Sequence, residues 1–205
     1  YPWDEVVSFV FRYAPRDKDR RDIHVAEVGF GTGSNLWFAA REGFRVSGVE
    51  GSKAAVKMAV DRFRQEKLDG DLRVGLFPEM PWSNNQVDLL IDRGAITCVG
   101  FELATRTLEE SHRVLIPGGK MYFTPYSSMD SSADCGSLGE DGCIRDITDG
   151  PMQGVGSICF YDRQQVSDII GEGWNILQMS HSVSDDECKD HGRHALWRIV
   201  LEKRS

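Results

Sequence analysis

Short apolar segments alternate with amphipathic ones along the first 125 residues, and this alternation constrains the fold more than any other feature of the chain. The pattern predicts five strands, at residues 24–28, 45–49, 72–75, 87–91 and 120–124. Helices are predicted between most of them, at 34–42, 53–67 and 101–114. A further helix and two strands follow, at 162–170, 175–179 and 194–202. Such alternation indicates an α/β fold in which a mostly parallel sheet carries helices on both faces.

Two segments stand apart from the alternation. Residues 2–13 are predicted to form an amphipathic N-terminal helix, and Tyr1, Trp3 and Phe9 are candidates for closing over a ligand, with core packing preferred for Phe9. Residues 125–156 are rich in Gly, Ser and Asp and show almost no apolar periodicity. Loops of this length are uncommon inside a domain unless they are lids or disordered. We expect one domain over residues 1–205 with a lid or insertion at about 125–156, and a disordered surface loop is the equal alternative.

The residues that follow each predicted strand are the candidate site residues, because ligands of an open parallel sheet bind beyond the carboxyl ends of its strands. A glycine loop, Gly29-Phe30-Gly31-Thr32-Gly33, follows the first strand. Its glycines allow a tight turn and a close approach of a ligand to the backbone. The residues after the later strands are Glu50 and Gly51, Leu76 and Phe77, Asp92 and Arg93, and Tyr126.

The spacing of the glycines bears on which nucleotide cofactor is bound. The dinucleotide-binding fingerprint is G-x-G-x-x-G, whereas this chain has G-x-G-x-G and places Ser34 where the third glycine of that fingerprint would stand. Glu50, at the end of the second strand, can accept hydrogen bonds from the ribose hydroxyls of an adenosine. Both NAD and S-adenosylmethionine (SAM) carry that ribose, so an NAD(P)-dependent oxidoreductase stays an alternative at this point.

Three segments resemble the motifs of class I SAM-dependent methyltransferases of the small-molecule type. Residues 25–33 are similar to motif I of that family, with Glu27 at its acidic position and Glu50 at the position of the ribose-binding acid. Residues 87–94 resemble the strand-four motif, and residues 113–120, Arg-Val-Leu-Ile-Pro-Gly-Gly-Lys, resemble the signature that leads into strand five. The resemblance implies a Rossmann-like, doubly wound, seven-stranded sheet with the last strand antiparallel.

The resemblance also implies SAM as cofactor, S-adenosylhomocysteine (SAH) as product, and a set of cofactor-binding residues. These are Glu27, Gly29, Phe30, Gly31, Gly33, Glu50, Gly51, Leu76, Phe77, Asp92 and Arg93. Two positions depart from the family pattern: Phe30 stands where a Cys is frequent, and Leu76 stands where an Asp often binds the adenine amino group. We therefore expect Leu76 and Phe77 to hold the adenine by apolar contact. Asp92 and Arg93 are expected to contact the methionine part or the substrate, with a loop-supporting ion pair as the alternative.

The implied activity is transfer of the SAM methyl group to an oxygen or nitrogen of a small-molecule acceptor. The sulfonium cation is already reactive, so such an enzyme mainly aligns donor and acceptor and excludes water. A general base is needed only where the acceptor must lose a proton. His181, just past a predicted strand end, and Tyr126 are the candidate catalytic residues, as base and as substrate-orienting group. An exposed loop histidine is the alternative for His181, and a non-catalytic partner subunit is the alternative for the whole chain.

Composition narrows the partners and the setting. The net charge of −8 disfavours a nucleic-acid substrate and an anionic membrane surface. No apolar run approaches the roughly 20 residues that cross a bilayer. The five cysteines, odd in number and irregularly spaced, argue against a disulfide framework and show no zinc-ligand spacing, so no metal is expected. A reduced cytoplasmic setting is the expectation, and the oligomeric state stays open.

Overall fold

The computed structural model describes residues 1–204, and a seven-stranded sheet forms its centre. The strands are β1 (His24–Val28), β2 (Arg45–Glu50), β3 (Asp71–Val74), β4 (Val87–Asp92), β5 (Leu115–Phe123), β6 (Ser137–Leu138), β7 (Ile144–Arg145), β8 (Ser157–Ile158), β9 (Trp174–Asp185) and β10 (Arg193–Lys203). The helices are α1 (Asp4–Tyr13), α2 (Ser34–Arg41), α3 (Lys53–Gln65), α4 (Phe101–Val114) and α5 (Arg163–Ile170). The main sheet has the order β3-β2-β1-β4-β5-β10-β9. β10 runs antiparallel to both of its neighbours and the other pairs are parallel, which confirms the Rossmann-like sheet with an antiparallel last strand.

Apolar side chains cover the sheet on both faces. Every residue of β1 and β4 is buried, as expected for central strands of a parallel sheet. One face packs against α1, α2 and α3, in a buried cluster that includes Val6, Leu36, Phe63, Val25 and Tyr122. The other face packs against α4 and α5, in a buried cluster that includes Leu108, Ile169, Phe123, Trp197 and Ile199. These are called the α1–α3 face and the α4–α5 face below.

Two strand boundaries differ from the prediction by more than one residue. β5 begins at Leu115 rather than at residue 120, so the Pro-Gly-Gly sequence lies inside the strand, with Gly118 at a left-handed φ of 73°. β9 continues to Asp185 rather than ending at Met179. The hairpin explains this extension, because β10 supplies backbone partners as far as Asp185 although residues 180–185 are mostly polar.

Residues 125–160, called the insertion below, contain regular structure that their composition does not indicate. A 3₁₀ turn covers Ser131–Asp134, and β6, β7 and β8 form a small antiparallel sheet. The insertion has a buried apolar cluster of its own, formed by Ile147, Ile158 and Phe160. A disulfide joins Cys143 to Cys159, so the prediction drawn from the cysteine spacing is wrong for this pair.

Residues 1–204 contain neither a membrane-spanning helix nor a metal-binding cluster. None of the helices there has both the length and the apolar character that a membrane span requires. No group of three or more His, Cys, Asp or Glu side chains in that range is arranged to hold a metal ion.

Candidate cofactor and acceptor site

The glycine loop after β1 is shaped by left-handed backbone conformations. Gly29 and Gly33 have φ values of 63° and 77°, a region that residues with a Cβ rarely adopt. A Cβ at Gly29 would also collide with Ala95, because the loop after β4 packs directly against it. The loop turns the chain from β1 into α2, which begins at Ser34. A glycine loop that ends at a helix N-terminus favours polar or anionic ligand atoms.

Glu50 lies at the end of β2 and contacts the glycine loop directly. The Gly31 N–H donates a hydrogen bond of 2.9 Å to Oε2 of Glu50, and the Ser52 N–H donates one of 2.7 Å to Oε1. β1 and β2 are parallel neighbours, with Val28 opposite Val49, so both strands end at the same edge of the sheet. The backbone donors fix the half-buried carboxylate, and each of its oxygens keeps a further lone pair for a ligand hydroxyl.

Glu27 is buried beneath this loop, with 2% of its surface exposed. Asn35 of α2 donates through Nδ2 to Oε1 of Glu27 at 2.7 Å, and Oε2 has no hydrogen-bond partner among the described residues. The pKa of Glu27 is raised to about 8, first by burial; the Asn35 hydrogen bond opposes the shift, and the charges of Asp92 and Glu50 add to it. A buried carboxyl group with one free oxygen suits a cationic ligand group, which would favour the ionised form.

The N-terminal segment borders the site through Trp3. The Trp3 N–H donates to Oδ1 of Asn35 at 3.1 Å, so Asn35 links Trp3 to Glu27. The Trp3 indole is half exposed, and the guanidinium carbon of Arg93 lies 4.0 Å from its ring centroid, a cation–π contact. Phe9, by contrast, is buried in the core of the α1–α3 face.

Asp92 and Arg93 follow β4 but make different contacts. Asp92 is fully buried, and its Oδ1 accepts hydrogen bonds from the N–H groups of Ala95 (3.0 Å) and Ile96 (2.8 Å). Burial raises the pKa of Asp92 to about 6, although these backbone donors oppose the shift. The predicted ligand contact of Asp92 is therefore not supported, because its carboxylate points into the protein and fixes the turn after β4. Arg93 stacks on Trp3 instead of forming the alternative ion pair.

Leu76 and Phe77 follow β3, where the adenine is expected. Leu76 exposes 68% of its surface, and Phe77 comes within 3.5 Å of the position that a Cβ of Gly29 would take. These two side chains form an apolar surface beside the glycine loop. Phe30, in contrast, is buried in the α1–α3 face and packs against Gly48, so any contact of Phe30 with a ligand is limited to its backbone. A Cβ at Gly51 would meet no atom within 4 Å.

Tyr126 and His181, the two predicted catalytic residues, lie on opposite faces of the sheet. Leu196 and Trp197 are consecutive in β10, so their side chains point to opposite faces. His181 stacks on Trp197 with 4.3 Å between ring centroids, whereas Tyr126 pairs with Leu196. His181 also lies inside β9 rather than past its end, with Nε2 2.8 Å from Oγ of Ser127. The structure therefore does not bring His181 together with Tyr126.

Tyr126 lies between the loop after β4 and a pair of side chains that no local sequence pattern predicts to meet. A Cβ at Gly94 would lie 3.4 Å from the Tyr126 hydroxyl oxygen. The Tyr126 ring lies 5.5 Å from the ring of His194, and Nδ1 of His194 is 2.8 Å from Oδ2 of Asp130. Asp130 belongs to the insertion and His194 to β10, 64 positions away, and the register of β10 against β5, which pairs Tyr126 with Leu196, brings the two side chains beside Tyr126.

One family model matches the chain. The model is described as a methyltransferase domain, and it matches residues 26–123, just under half of the chain, from β1 to the end of β5. A search of the curated proteins finds no match.

Several solved structures share the fold over nearly the whole chain. A SAM-dependent methyltransferase from Methanosarcina mazei superposes with a TM-score of 0.73 at 17% identity, covering 96% of this chain and 97% of that one. A phosphoethanolamine N-methyltransferase from Haemonchus contortus, in complex with phosphomonomethylethanolamine and SAH, has a TM-score of 0.70 at 17% identity and covers 99% and 53%. A [4+2]-cyclase has a TM-score of 0.70 at 17% identity and covers 100% and 83%. At these identities the likeness shows the fold.

The sheet order, the glycine loop and the carboxylate at the end of β2 define a Rossmann-like domain of the methyltransferase type. Residues 26–123 match the methyltransferase-domain model, and nearly the whole chain shares the fold of a solved SAM-dependent methyltransferase.

Proposed function

We propose that the crevice at the ends of β1, β2 and β4 binds SAM, and that the enzyme transfers the methyl group to an oxygen or nitrogen of a small-molecule acceptor. The main support is the convergence of the glycine loop on Glu50, through the hydrogen bond that Gly31 donates. The unpartnered Oε2 of Glu27 lies at the same edge of the sheet. Gly31, Glu50 and Glu27 thus come together at the ends of β1 and β2.

Each part of the cofactor has a matching group in this crevice. Glu50 would accept hydrogen bonds from the ribose hydroxyls, as a carboxylate with free lone pairs can. Glu27 would face a cationic group of the cofactor with its free oxygen, and Leu76 and Phe77 would pack on the adenine. Backbone atoms of the glycine loop, Gly51 and Arg93 complete the proposed set. Bound SAM supplies a methyl group that is already activated by its sulfonium charge.

The acceptor is expected beyond the end of β4, where Tyr126 reaches the loop at Gly94. Trp3, stacked with Arg93, borders this region from the N-terminal segment. We propose that the insertion covers it as a lid, so that the enzyme aligns the two reactants and excludes water. A net charge of −8 disfavours a nucleic acid as acceptor.

Calorimetric titration tests the cofactor site. Wild-type enzyme should bind SAH and not NADH. Glu50→Gln should weaken SAH binding about tenfold or more, because a hydrogen bond to a charged acceptor contributes about 1.5–3 kcal/mol. Glu109→Gln, at an exposed position of α4, is the matched control and should bind SAH as wild type does. Binding of NADH without SAH, or unchanged SAH affinity in Glu50→Gln, would contradict the proposed site.

A second experiment tests the acceptor class. SAM with an isotope-labelled methyl group is incubated with small hydroxyl and amine compounds, and mass spectrometry locates the label in the products. Label on oxygen or nitrogen supports the proposal. Label found only on carbon would contradict it.

A further inference from the structure

His194 and Asp130 form a pair that the cofactor crevice does not use. Nδ1 of His194 lies 2.8 Å from Oδ2 of Asp130. Asp130 is buried and also accepts hydrogen bonds from the N–H groups of Ser132 (3.0 Å) and Ala195 (3.1 Å). Burial alone would raise the pKa of Asp130, but the hydrogen bonds from His194, Ser132 and Ala195 outweigh it, and the pKa is lowered. The ionised carboxylate therefore holds a proton on Nδ1 of His194 and leaves Nε2 to accept one.

The position of His194 links a cavity to the acceptor region. Its side chain is one-third exposed and lines a cavity of about 460 Å³ between residues 149–153 of the insertion and residues 184–192 of the hairpin. On the acceptor side its ring lies 5.5 Å from that of Tyr126, whose hydroxyl reaches the loop after β4. His191 also lines the cavity, but its partner Asp149 is exposed. Of the two histidines that line this cavity, His194 is therefore the one that is paired with a buried carboxylate.

We propose that His194, oriented by Asp130, is the general base of the reaction and that the acceptor is a hydroxyl compound. This inference rests on the proposed methyl transfer. The acceptor oxygen forms a bond to the methyl carbon while the carbon–sulfur bond of SAM breaks, and the sulfur keeps the electron pair in SAH. The hydroxyl proton moves to Nε2 of His194 and then to solvent. Asp130 stays ionised and stabilises the imidazolium, as a buried carboxylate does beside a catalytic histidine.

A hydroxyl acceptor explains why a general base is needed next to the acceptor region. A neutral amine already offers a lone pair and need not lose a proton before methylation. The oxygen of an alcohol or phenol must lose its proton during or before the attack, and a positioned base then contributes roughly 10²–10⁴ in rate. Asp130 acts through His194 and is a positioning residue, not a group that touches the acceptor.

4-Nitrophenol is a suitable probe because its ionised form is coloured. The SAH complex of the wild-type enzyme should bind it and raise the ratio of its ionised to its neutral form about tenfold over that of the free probe at the same pH. His194→Gln should abolish this increase, and Asp130→Asn should reduce it. His112→Gln, whose ring contacts Gly173 away from the cavity, should leave it unchanged. Circular dichroism and SAH titration of each variant establish that the fold and the cofactor site are intact.

Turnover provides the second readout. Methylation of 4-nitrophenol by labelled SAM should fall about 10²–10⁴-fold in His194→Gln, and the remaining rate should rise with pH as the probe ionises in solution. The SAH affinity should stay within about twofold of wild type, because His194 does not touch the cofactor crevice. If His194→Gln does not fold, Asp130→Asn, which keeps the imidazole, is compared with wild type in the same two measurements, probe ionisation and turnover.

The contradicting outcomes are distinct. Equal ionisation of the bound probe in wild type and in both site variants would overturn the role of the base. Absence of probe binding to the wild-type SAH complex would overturn the hydroxyl class. Loss of SAH binding by the wild-type enzyme would instead remove the proposed function itself, so the two failures are distinguishable.

Discussion

Glu27→Gln should stabilise the cofactor-free protein at alkaline pH and weaken cofactor binding. Glutamine has the shape of a protonated glutamic acid and keeps an oxygen for the hydrogen bond from Asn35, but it brings no charge into the buried site. In the wild-type protein the Glu27 carboxyl must ionise beneath the glycine loop as the pH rises through about 8. The same carboxyl has an ordinary pKa of 4.5, which is the value that applies in the unfolded chain.

The sign and size of the effect follow from proton linkage. Because the pKa of Glu27 is raised by folding, the folded protein holds the proton over the interval from 4.5 to about 8 and loses stability as the pH rises. One pKa unit corresponds to about 1.36 kcal/mol, so the wild-type protein should lose about 3 kcal/mol between pH 6 and pH 9 that the variant does not lose. The pKa of His24, lowered to about 4 by burial, contributes equally to both proteins and cancels in the difference.

Urea denaturation at pH 6, 7.5 and 9, without SAH, measures this difference in the free energy of unfolding. Glu109→Gln, which removes a carboxylate from an exposed position of α4, corrects for the loss of one surface charge. The same Glu27→Gln protein should bind SAH about ten- to a hundredfold more weakly, since it lacks the charged partner for a cationic group. Parallel pH dependences of wild type and Glu27→Gln would refute the buried ionisation, and an unchanged SAH affinity would refute the contact with the cofactor.

Three further sets of variants test the glycine loop, the adenine surface and the insertion. Gly33→Ala should lower the free energy of unfolding by about 1–3 kcal/mol in urea, because φ is 77° and the new methyl group would lie 3.0 Å from α3. Gly31→Ala, with φ of 56° and open space, should cost less, and equal losses would contradict the contact with α3. Leu76→Ala should weaken SAH binding about fivefold in calorimetry, as about 1 kcal/mol of apolar contact is lost. Cys143→Ser should destabilise the protein by about 3 kcal/mol, because the disulfide to Cys159 closes a loop with a sequence separation of 16 residues. A reductant should lower the melting temperature of the wild-type protein and leave that of Cys143→Ser unchanged.

The parallel half of the sheet was predictable because its strands carry their own signal. β1 and β4 are buried on both faces and most of their residues are apolar, and α4 spans the predicted residues 101–114. The edge strand β9 has no such signal. Its exposed residues 180–185 are mostly polar, and they are held in a strand by the backbone of β10 rather than by burial of their own side chains.

On the cofactor side of the site, position could be predicted but side-chain direction could not. Adjacent parallel strands end at one edge of the sheet, so Gly31 and Glu50 meet as the sequence indicates. Phe30 follows β1 as expected, yet it turns into the core because Gly48 of β2 leaves space for its ring. Asp92 follows β4 as expected, yet its side chain points into the protein because it accepts hydrogen bonds from two backbone N–H groups of the following turn.

On the acceptor side, the residues that meet depend on register between distant segments, which no local pattern encodes. Side chains alternate between the faces of a strand, so a slip of one residue between β10 and β5 would move His194 from the side of Tyr126 to the α4–α5 face. The pairing of Ile199 with Phe123 fixes this register, and both side chains belong to the apolar cluster of the α4–α5 face, as does Trp197. A slip would move that cluster to the opposite face and bring Arg198 and Glu202 into its place. Core packing along β10 therefore decides that His194 lies beside Tyr126, and the prediction placed His181 past a strand end because it ended β9 six residues early.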